Sequence, residues 1–160
     1  MKFTILAIDD TKRVLEIIKY FLEQEGYIVK SSVDPVEGIR IAQEGGIDLI
    51  LLDIMMPGMD GYAVYDNLKK DPRTRDVPVI MLTAKAIIMH TPKDFFYGLY
   101  GFLAKPFSRH QLVKTVHDVF KMTKTGEDTK VILPKDEKKD STPDPEAPGE
   151  AAPGPGPPDA

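Results

Sequence analysis

Five short apolar runs alternate along the first 125 residues with segments in which apolar residues recur at helical spacing. The runs occupy residues 3–8, 27–31, 48–52, 78–82 and 100–104. Continuous apolar runs are typical of strands buried on both faces, and their alternation with helices favours a parallel sheet. The pattern therefore predicts an α/β fold of doubly wound (βα)5 type, with a five-stranded parallel sheet and helices on both faces.

Three of the predicted helices have recognisable signals in the sequence. A stripe at helical spacing follows the first run and stops at Gly26, a predicted helix C-cap: Val14, Ile18, Phe21 and Leu22. Asp34 and Pro35 read as an N-cap and a first-turn proline. A last helix of about three to four turns is predicted from one further apolar set: Leu112, Val113, Val116, Val119 and Phe120.

The segment before the fifth run predicts a short helix that begins late. Thr91, Pro92 and Asp94 match an N-cap, a first-turn proline and an early acidic residue, which would leave residues 87–89 in a loop. A longer helix kinked at Pro92 is the alternative. Apolar residues here exceed what a two-sided core needs, so we expect a homodimer or partner surface. Its face would include four aromatic residues: Phe95, Phe96, Tyr97 and Tyr100.

Charge divides the chain into a domain at residues 1–125 and a tail at residues 126–160. The domain has 17 Lys and Arg against 16 Asp and Glu, whereas the tail has 4 against 9 and 8 of the 14 prolines. With a single apolar cluster at residues 131–133, the tail cannot offset the entropy of ordering it, and we expect it to be disordered. Its acidic balance argues against direct DNA binding.

The cysteine content and the length of the apolar runs predict the cellular compartment. Cysteine is absent, so disulfides and thiolate metal sites are excluded and a reducing compartment fits. The first apolar run is too short for a signal peptide, and later runs fall short of the ~18 apolar residues of a membrane span. We expect a cytoplasmic protein that does not contact membranes.

Polar side chains gather where the predicted strands end. Because parallel strands with right-handed crossovers end at one edge of the sheet, these residues should converge although they are up to 96 positions apart. In the flavodoxin-like strand order 2-1-3-4-5, the ligand crevice lies between strands one and three. The residues that follow the runs form one candidate site: Asp9, Asp10, Asp53, Thr83 and Lys105.

The three aspartates need positive charge if they meet. Two carboxylates ~5 Å apart repel by about 3 kcal/mol at an effective dielectric of about 20, and Lys105 supplies only one compensating charge. A divalent cation would supply the rest, and an all-oxygen ligand set suits Mg²⁺. The alternative for Asp9 and Asp10 is a solvated turn in which Asp10 caps the next helix.

Asp53 ends a buried strand beside the predicted cation and Lys105, as an oxygen nucleophile for phosphoryl transfer would. Lys105 can neutralise charge on the phosphoryl oxygens and Thr83 can donate a hydrogen bond to one of them. Taken singly, Thr83 could be an ordinary strand residue and Lys105 an ordinary surface lysine.

Residues 3–121 resemble a two-component receiver domain of the chemotaxis-receiver type. The resemblance is carried by "AIDD", "LLDIMMPGMDGY", "VIMLTA" and "FLAKPF", with 30 positions from Asp53 to Thr83 and 22 from there to Lys105. It implies a response regulator whose Asp53 accepts phosphate from a histidine kinase or phosphotransfer protein. It further implies Mg²⁺, or Mn²⁺ as a substitute, on Asp10, Asp53 and the Met55 backbone carbonyl, with Asp9 acting through water.

The resemblance also implies a cis Lys105–Pro106 bond and a switch formed by Thr83 and Phe102. Phosphorylation would draw the Thr83 hydroxyl toward the phosphoryl group, and Phe102 would rotate into the space. The alternative is that Phe102 is simply a core aromatic residue. Pro57, Gly58 and Gly61 are interpreted as turn residues beside the nucleophile.

Two other functions compete with the receiver interpretation. A magnesium phosphohydrolase of the haloacid dehalogenase type needs its acid two residues after the nucleophile, and "DDTKRV" lacks that pattern. A receiver used only as a scaffold, with its acidic tail as a ligand, would not need all five chemical positions filled. We therefore expect no enzyme activity beyond self-directed phosphoryl transfer and autodephosphorylation.

Overall fold

The computed structural model describes residues 2–84 and 99–126, which form one open sheet and the helices packed on it. The strands are β1 (Thr4–Ile8), β2 (Ile28–Ser32), β3 (Leu49–Asp53), β4 (Val79–Ala84) and β5 (Gly101–Lys105). The helices are α1 (Lys12–Gln24), α2 (Pro35–Gln43), α3 (Gly61–Lys70) and α4 (Arg109–Thr125). The predicted helix near Pro92, the residues Phe95 to Tyr97 and the tail from residue 127 onward lie outside the described residues.

The five strands are parallel and lie in the order β2-β1-β3-β4-β5, so the predicted sheet is confirmed. β1 and β3 are neighbours in the middle of the sheet although α1, β2 and α2 separate them in sequence. The chain therefore reverses direction across the sheet at the carboxyl ends of these two strands, where α/β sheets form their ligand crevice.

A separate apolar core lies on each face of the sheet, because successive side chains of a strand point to opposite faces. Leu6, Ile50 and Met81 pack with α2 and α3 on one face. Ile5, Leu49 and Ile80 pack with α1 and α4 on the other. The uninterrupted apolar runs are explained by this arrangement, since both faces of every central strand are buried.

The helix ends follow the predicted signals, with one difference in length. Asp34 caps α2 by accepting a hydrogen bond from the Val36 N–H at 2.8 Å, and Gly26 follows α1 with φ of 88°. α4 has 17 residues, nearly five turns, against the shorter helix predicted. Ser108 and Gln111 form a capping box that starts this helix early, and Gly126 ends it in the left-handed conformation.

The strands end slightly later than the apolar runs predict. Asp53 and Lys105 are the last residues of β3 and β5, and Thr83 is the penultimate residue of β4, so the ladder still pairs them. Their backbones are thus held by the sheet, not by a loop. The Lys105–Pro106 peptide bond is cis, as predicted. No helix within the described ranges is long and apolar enough to cross a membrane.

Candidate functional site

Asp9, Asp53 and Lys105 come to one face of the sheet edge through strand alternation. Each lies two positions beyond a residue of the core under α1 and α4, namely Ala7, Leu51 and Leu103. Because side chains two apart on a strand point the same way, the three charged groups share that face. Register in the ladder, not closeness in sequence, therefore brings them together.

The predicted acidic cluster is present at this edge. Asp9, Asp10 and Asp53 each offer a carboxylate oxygen, and these oxygens lie within 4.8 Å of one another. Asp9 and Asp53 are 0% and 3% exposed, while Asp10 is exposed. The alternative, a solvated turn in which Asp10 caps α1, does not hold because the N-cap of α1 is Thr11. Asp9 is held in place by the Thr11 N–H, which donates a hydrogen bond to Asp9 Oδ1 at 2.9 Å.

Lys105 joins the two buried carboxylates. Its Nζ lies 2.5 Å from Asp9 Oδ2 and 3.2 Å from Asp53 Oδ1. The lysine side chain is one-quarter exposed, so it approaches the carboxylates from the solvent edge. One cation is thus shared between two anions, and the cluster of three carboxylates keeps a net negative charge.

This charge imbalance shows in the acidity of Asp53. Burial, and next the neighbouring Asp9 carboxylate, raise the pKa of Asp53 from its usual 3.8 to about 6. Lys105 opposes the rise, as does the Met55 N–H, which donates to Asp53 Oδ1 at 3.3 Å. The carboxylate is still mostly ionised at neutral pH.

The loop after Asp53 is shaped by close backbone packing. The Gly61 N–H donates to the Ile54 carbonyl at 2.8 Å and closes the loop, in which Gly58 has φ of 84°. Gly61 shapes this loop as predicted, but from the first position of α3 and not from a turn: a Cβ there would lie 2.3 Å from the Asp53 carbonyl oxygen. Asp60, which sequence reasoning missed, is the N-cap of α3, accepting from the Ala63 N–H at 2.9 Å.

Thr83 and Phe102 lie on the opposite face of the sheet from Asp53. Thr83 pairs with Ala104 and Phe102 pairs with Met81, which places the two switch candidates diagonally on neighbouring strands. Both are buried, Phe102 within the core under α2 and α3. The Thr83 hydroxyl donates to the Ala84 carbonyl at 3.5 Å, the upper limit for a hydrogen bond. Giving up that contact costs little.

The donor set at the edge fits a hard divalent cation. Among the described residues, the three carboxylates converge without a histidine in the group, and one of them, Asp10, is exposed where a hydrated ion can approach. Oxygen-only sets of this kind suit Mg²⁺ and Mn²⁺ rather than zinc. Met55 lies in the loop directly after Asp53 with its N–H on that carboxylate, and the ligand role of its carbonyl stays a prediction.

Comparison with known proteins identifies the family to which this fold belongs. The chain belongs to the response regulator receiver domain family, whose model matches residues 5–117. The DNA-binding dual master transcriptional regulator RpaA of Synechocystis is 37% identical over 119 residues, which are 74% of this chain and 49% of RpaA. Transcriptional regulatory protein ResD of Bacillus subtilis is 37% identical over 112 residues, 70% of this chain and 45% of ResD.

A solved structure gives the same result. The receiver domain of the sensor histidine kinase PA1611 from Pseudomonas aeruginosa, described with a magnesium ion in its active site cleft, is 29% identical. It has a TM-score of 0.68 and covers 76% of this chain and 99% of its own. The chain spans about half the length of the curated relatives it matches.

Family membership confirms the predicted receiver domain and its flavodoxin-like fold. Receiver domains act in two-component systems, where the partner is a histidine kinase, and phosphorylation-dependent switching is typical of them. They bind Mg²⁺ in an acidic site and are in general not enzymes. The family also decides against the haloacid dehalogenase alternative.

Proposed function

We propose that this receiver accepts a phosphoryl group on Asp53 from a histidine kinase or phosphotransfer protein and signals through a change of its surface. The observation that carries this proposal is the meeting of three carboxylates and Lys105 around the end of β3. Asp9 and Asp53 are the two buried members of that cluster, and Asp53 is the one held by the ladder at the end of its strand.

The chemistry assigned to Asp53 is a direct displacement. A carboxylate oxygen attacks the phosphorus of a phosphohistidine, an O–P bond forms, the N–P bond breaks, and the departing imidazole regains a proton. The raised pKa of Asp53, about 6, leaves this oxygen ionised but basic at neutral pH. Because Asp53 is buried, few water molecules can solvate its carboxylate, and its charge can act on the incoming phosphoryl group.

Lys105 and Thr83 serve the phosphoryl oxygens in this proposal. Lys105 already bridges Asp9 and Asp53, so a small shift would bring its ammonium onto a phosphoryl oxygen on Asp53. Thr83 points to the opposite face but directly follows Leu82, the ladder partner of Asp53, at the same edge of the sheet. Its hydroxyl could therefore exchange the weak contact with the Ala84 carbonyl for a hydrogen bond to a phosphoryl oxygen that extends past this edge. Phe102, diagonal to Thr83 and buried, is the residue through which that exchange would reach the surface.

Asp10 and Asp53, with the Met55 carbonyl, would hold the cation, and Asp9 would act through water. When bound, Mg²⁺ or Mn²⁺ supplies the positive charge that the cluster lacks and neutralises the transferring group. Asp9 is engaged by Lys105 and by the Thr11 N–H, which supports an indirect role for it.

The test is incubation of the full chain with acetyl phosphate and MgCl2, followed by intact mass. We expect a gain of one phosphoryl group that is absent in Asp53→Asn and in wild type with EDTA. Asp76→Asn, which alters an exposed carboxylate after α3, is the matched control and should be modified like wild type. If Asp53→Asn still gains a phosphoryl group, the acceptor is a different residue and the proposal is wrong.

The remaining assignments concern partners and compartment. We propose cytoplasmic signalling without direct DNA contact by residues 1–160, in keeping with the near-neutral domain and the acidic segment after it. Assembly through the face around Tyr100 is part of the same proposal; Tyr100 is half-buried against the core under α1 and α4. Sedimentation with and without a phosphate analogue tests that assembly, and a monomer under both conditions contradicts it.

A further inference from the structure

The exposed side of α4 has a row of basic and imidazole side chains that the receiver chemistry does not use. The buried side of this helix packs on the sheet through Leu112, Val116 and Val119. The opposite side shows residues spaced four and three apart, all exposed, which we call the α4 stripe: His110, Lys114, His117, Lys121 and Lys124. Residues at this spacing lie on one face of a helix.

The α4 stripe has a surplus of positive charge. The stripe contains three lysines and no acidic residue, whereas the remaining cation of α4, Arg109, is paired with Glu25. Lys114 is bonded to Asp118 at 2.5 Å, but within the described part of the chain neither Lys121 nor Lys124 has a carboxylate within salt-bridge distance. Elsewhere among the described residues, Arg40, Lys70 and Arg73 are each paired with a nearby acid, whereas Lys12, Arg13 and Lys30 have no carboxylate within salt-bridge distance. What distinguishes α4 is that its lysines lie in one row.

The complementary charge follows α4 in the same chain. Residues 140–160 contain five acidic residues, seven prolines and no Lys or Arg. We propose that this acidic segment binds the α4 stripe of its own molecule and covers that face of the domain. The acidic side chains are those of Asp140, Asp144, Glu146, Glu150 and Asp159.

Chain length permits this contact. Asp140 is 14 residues beyond Gly126, and a flexible linker of that length spans roughly 20 Å on average. The stripe from Lys124 back to His110 is about 21 Å long at 1.5 Å per residue. Proline favours extended backbone, which spaces the acidic side chains along the helix and prevents them from collapsing onto each other.

The tether compensates for the weakness of the individual contacts. Exposed ion pairs contribute little each and are screened by salt. A short linker, however, holds the acidic segment at about millimolar effective concentration beside the stripe. The docked form should therefore be well populated at low ionic strength and largely lost at about 0.5 M NaCl, where the Debye length is roughly 4 Å.

Paramagnetic relaxation enhancement tests the contact in the full chain. Because the sequence has no cysteine, Ala147→Cys accepts a single nitroxide label between two acidic residues. We expect amide peaks of residues 114–124 to lose roughly half of their intensity or more at low salt and to recover at about 0.5 M NaCl. Uniform or salt-independent broadening, or broadening centred on another element, overturns the proposal.

Matched charge variants identify the surface. Lys121→Gln with Lys124→Gln should abolish the broadening, while Lys30→Gln with Lys70→Gln, which removes two exposed lysines outside α4, should leave it unchanged. Equal effects of both pairs would show only a general charge effect and contradict docking on α4. Amide dispersion in the same spectra shows that each variant is folded.

A mixing experiment identifies the source of the segment. Spin-labelled protein without ¹⁵N is mixed with unlabelled ¹⁵N protein, so that only contacts between molecules broaden peaks. Docking in the same chain predicts no broadening of α4 in the mixture. If the α4 peaks broaden as strongly in the mixture as in the sample whose own chain carries the nitroxide, the segment that binds the stripe comes from a second copy and the proposal is wrong.

Discussion

Lys105 lies closer to Asp9 than to Asp53, at 2.5 Å against 3.2 Å, although Asp53 is the proposed acceptor. In the resting site, Lys105 thus mainly neutralises Asp9, which is completely buried, and not the proposed acceptor Asp53. A phosphoryl group on Asp53 would compete with Asp9 for the same ammonium. Lys105 therefore has two roles, stability of the resting site and neutralisation of the product, which substitution should separate.

Replacing Lys105 with Met should destabilise the metal-free protein. Two buried carboxylates would lose their shared cation, and we expect a loss of about 2 kcal/mol, less than for a fully buried pair because the lysine side chain is partly exposed. Urea unfolding in EDTA measures the change, and MgCl2 should restore part of it. Lys30→Met, at an exposed position of β2 outside the α4 stripe, is the control. Equal stability of the two variants would contradict the role of Lys105.

Asp53→Asn should stabilise the metal-free protein. The pKa of Asp53 is raised from 3.8 to about 6, so between these values the folded state binds more protons than the unfolded state. The stability of wild type must then fall as pH rises through this window, by up to about 3 kcal/mol. The Asn variant lacks that fall. Unfolding from pH 4 to 7 in EDTA measures it, with Asp76→Asn as control, and parallel pH profiles would refute it.

Gly61→Ala should damage the acceptor loop more than it damages the fold as a whole. The new Cβ would lie 2.3 Å from the Asp53 carbonyl oxygen and 2.6 Å from the Ile54 Cα, backbone atoms that cannot turn aside. In Gly38→Ala the Cβ meets only the Ile8 side chain, at 2.6 Å, which can rearrange at a cost of about 1–3 kcal/mol.

Phosphorylation rates normalised to the folded fraction distinguish the two glycines. We expect a loss of ten-fold or so for Gly61→Ala, equivalent to a shift of about 1.4 kcal/mol in the barrier, and little change for Gly38→Ala. If both variants lose stability yet modify Asp53 at the wild-type rate, the close packing at Gly61 does not position the acceptor.

The sheet and the acidic site could be predicted from sequence because each depends on a repeated signal. Apolar runs identified every strand, and the polar residues after four of the five runs identified the shared edge at Asp9, Asp53 and Lys105. The end of β1 was predicted correctly, and the ends of the other four strands were predicted one or two residues early. The apolar pattern places the end of a strand before the first polar residue, whereas the hydrogen-bonded ladder continues through Asp53 and Lys105.

Other features depend on three-dimensional distances that no local pattern contains. The preference of Lys105 for Asp9 follows from the tertiary approach of β5 to β1 across β3 and β4. The close approach of Gly61 to the Asp53 backbone likewise appears only once α3 has folded back on β3. The capping residues Asp60 and Ser108 were different, since D-G before a helical stripe and S-x-x-Q were both readable signals.

Thr83→Ala should separate phosphorylation from its consequence. Thr83 lies diagonal to Phe102 on the face opposite Asp53, and its hydroxyl has only a 3.5 Å contact with the Ala84 carbonyl among the described residues. Loss of the hydroxyl should leave the mass gain on Asp53 in place but remove the shift of the Phe102 ring signals on phosphorylation. Thr83→Ser, which keeps the hydroxyl, should restore that shift. An unchanged Phe102 response in Thr83→Ala would mean that the signal leaves Asp53 by another route.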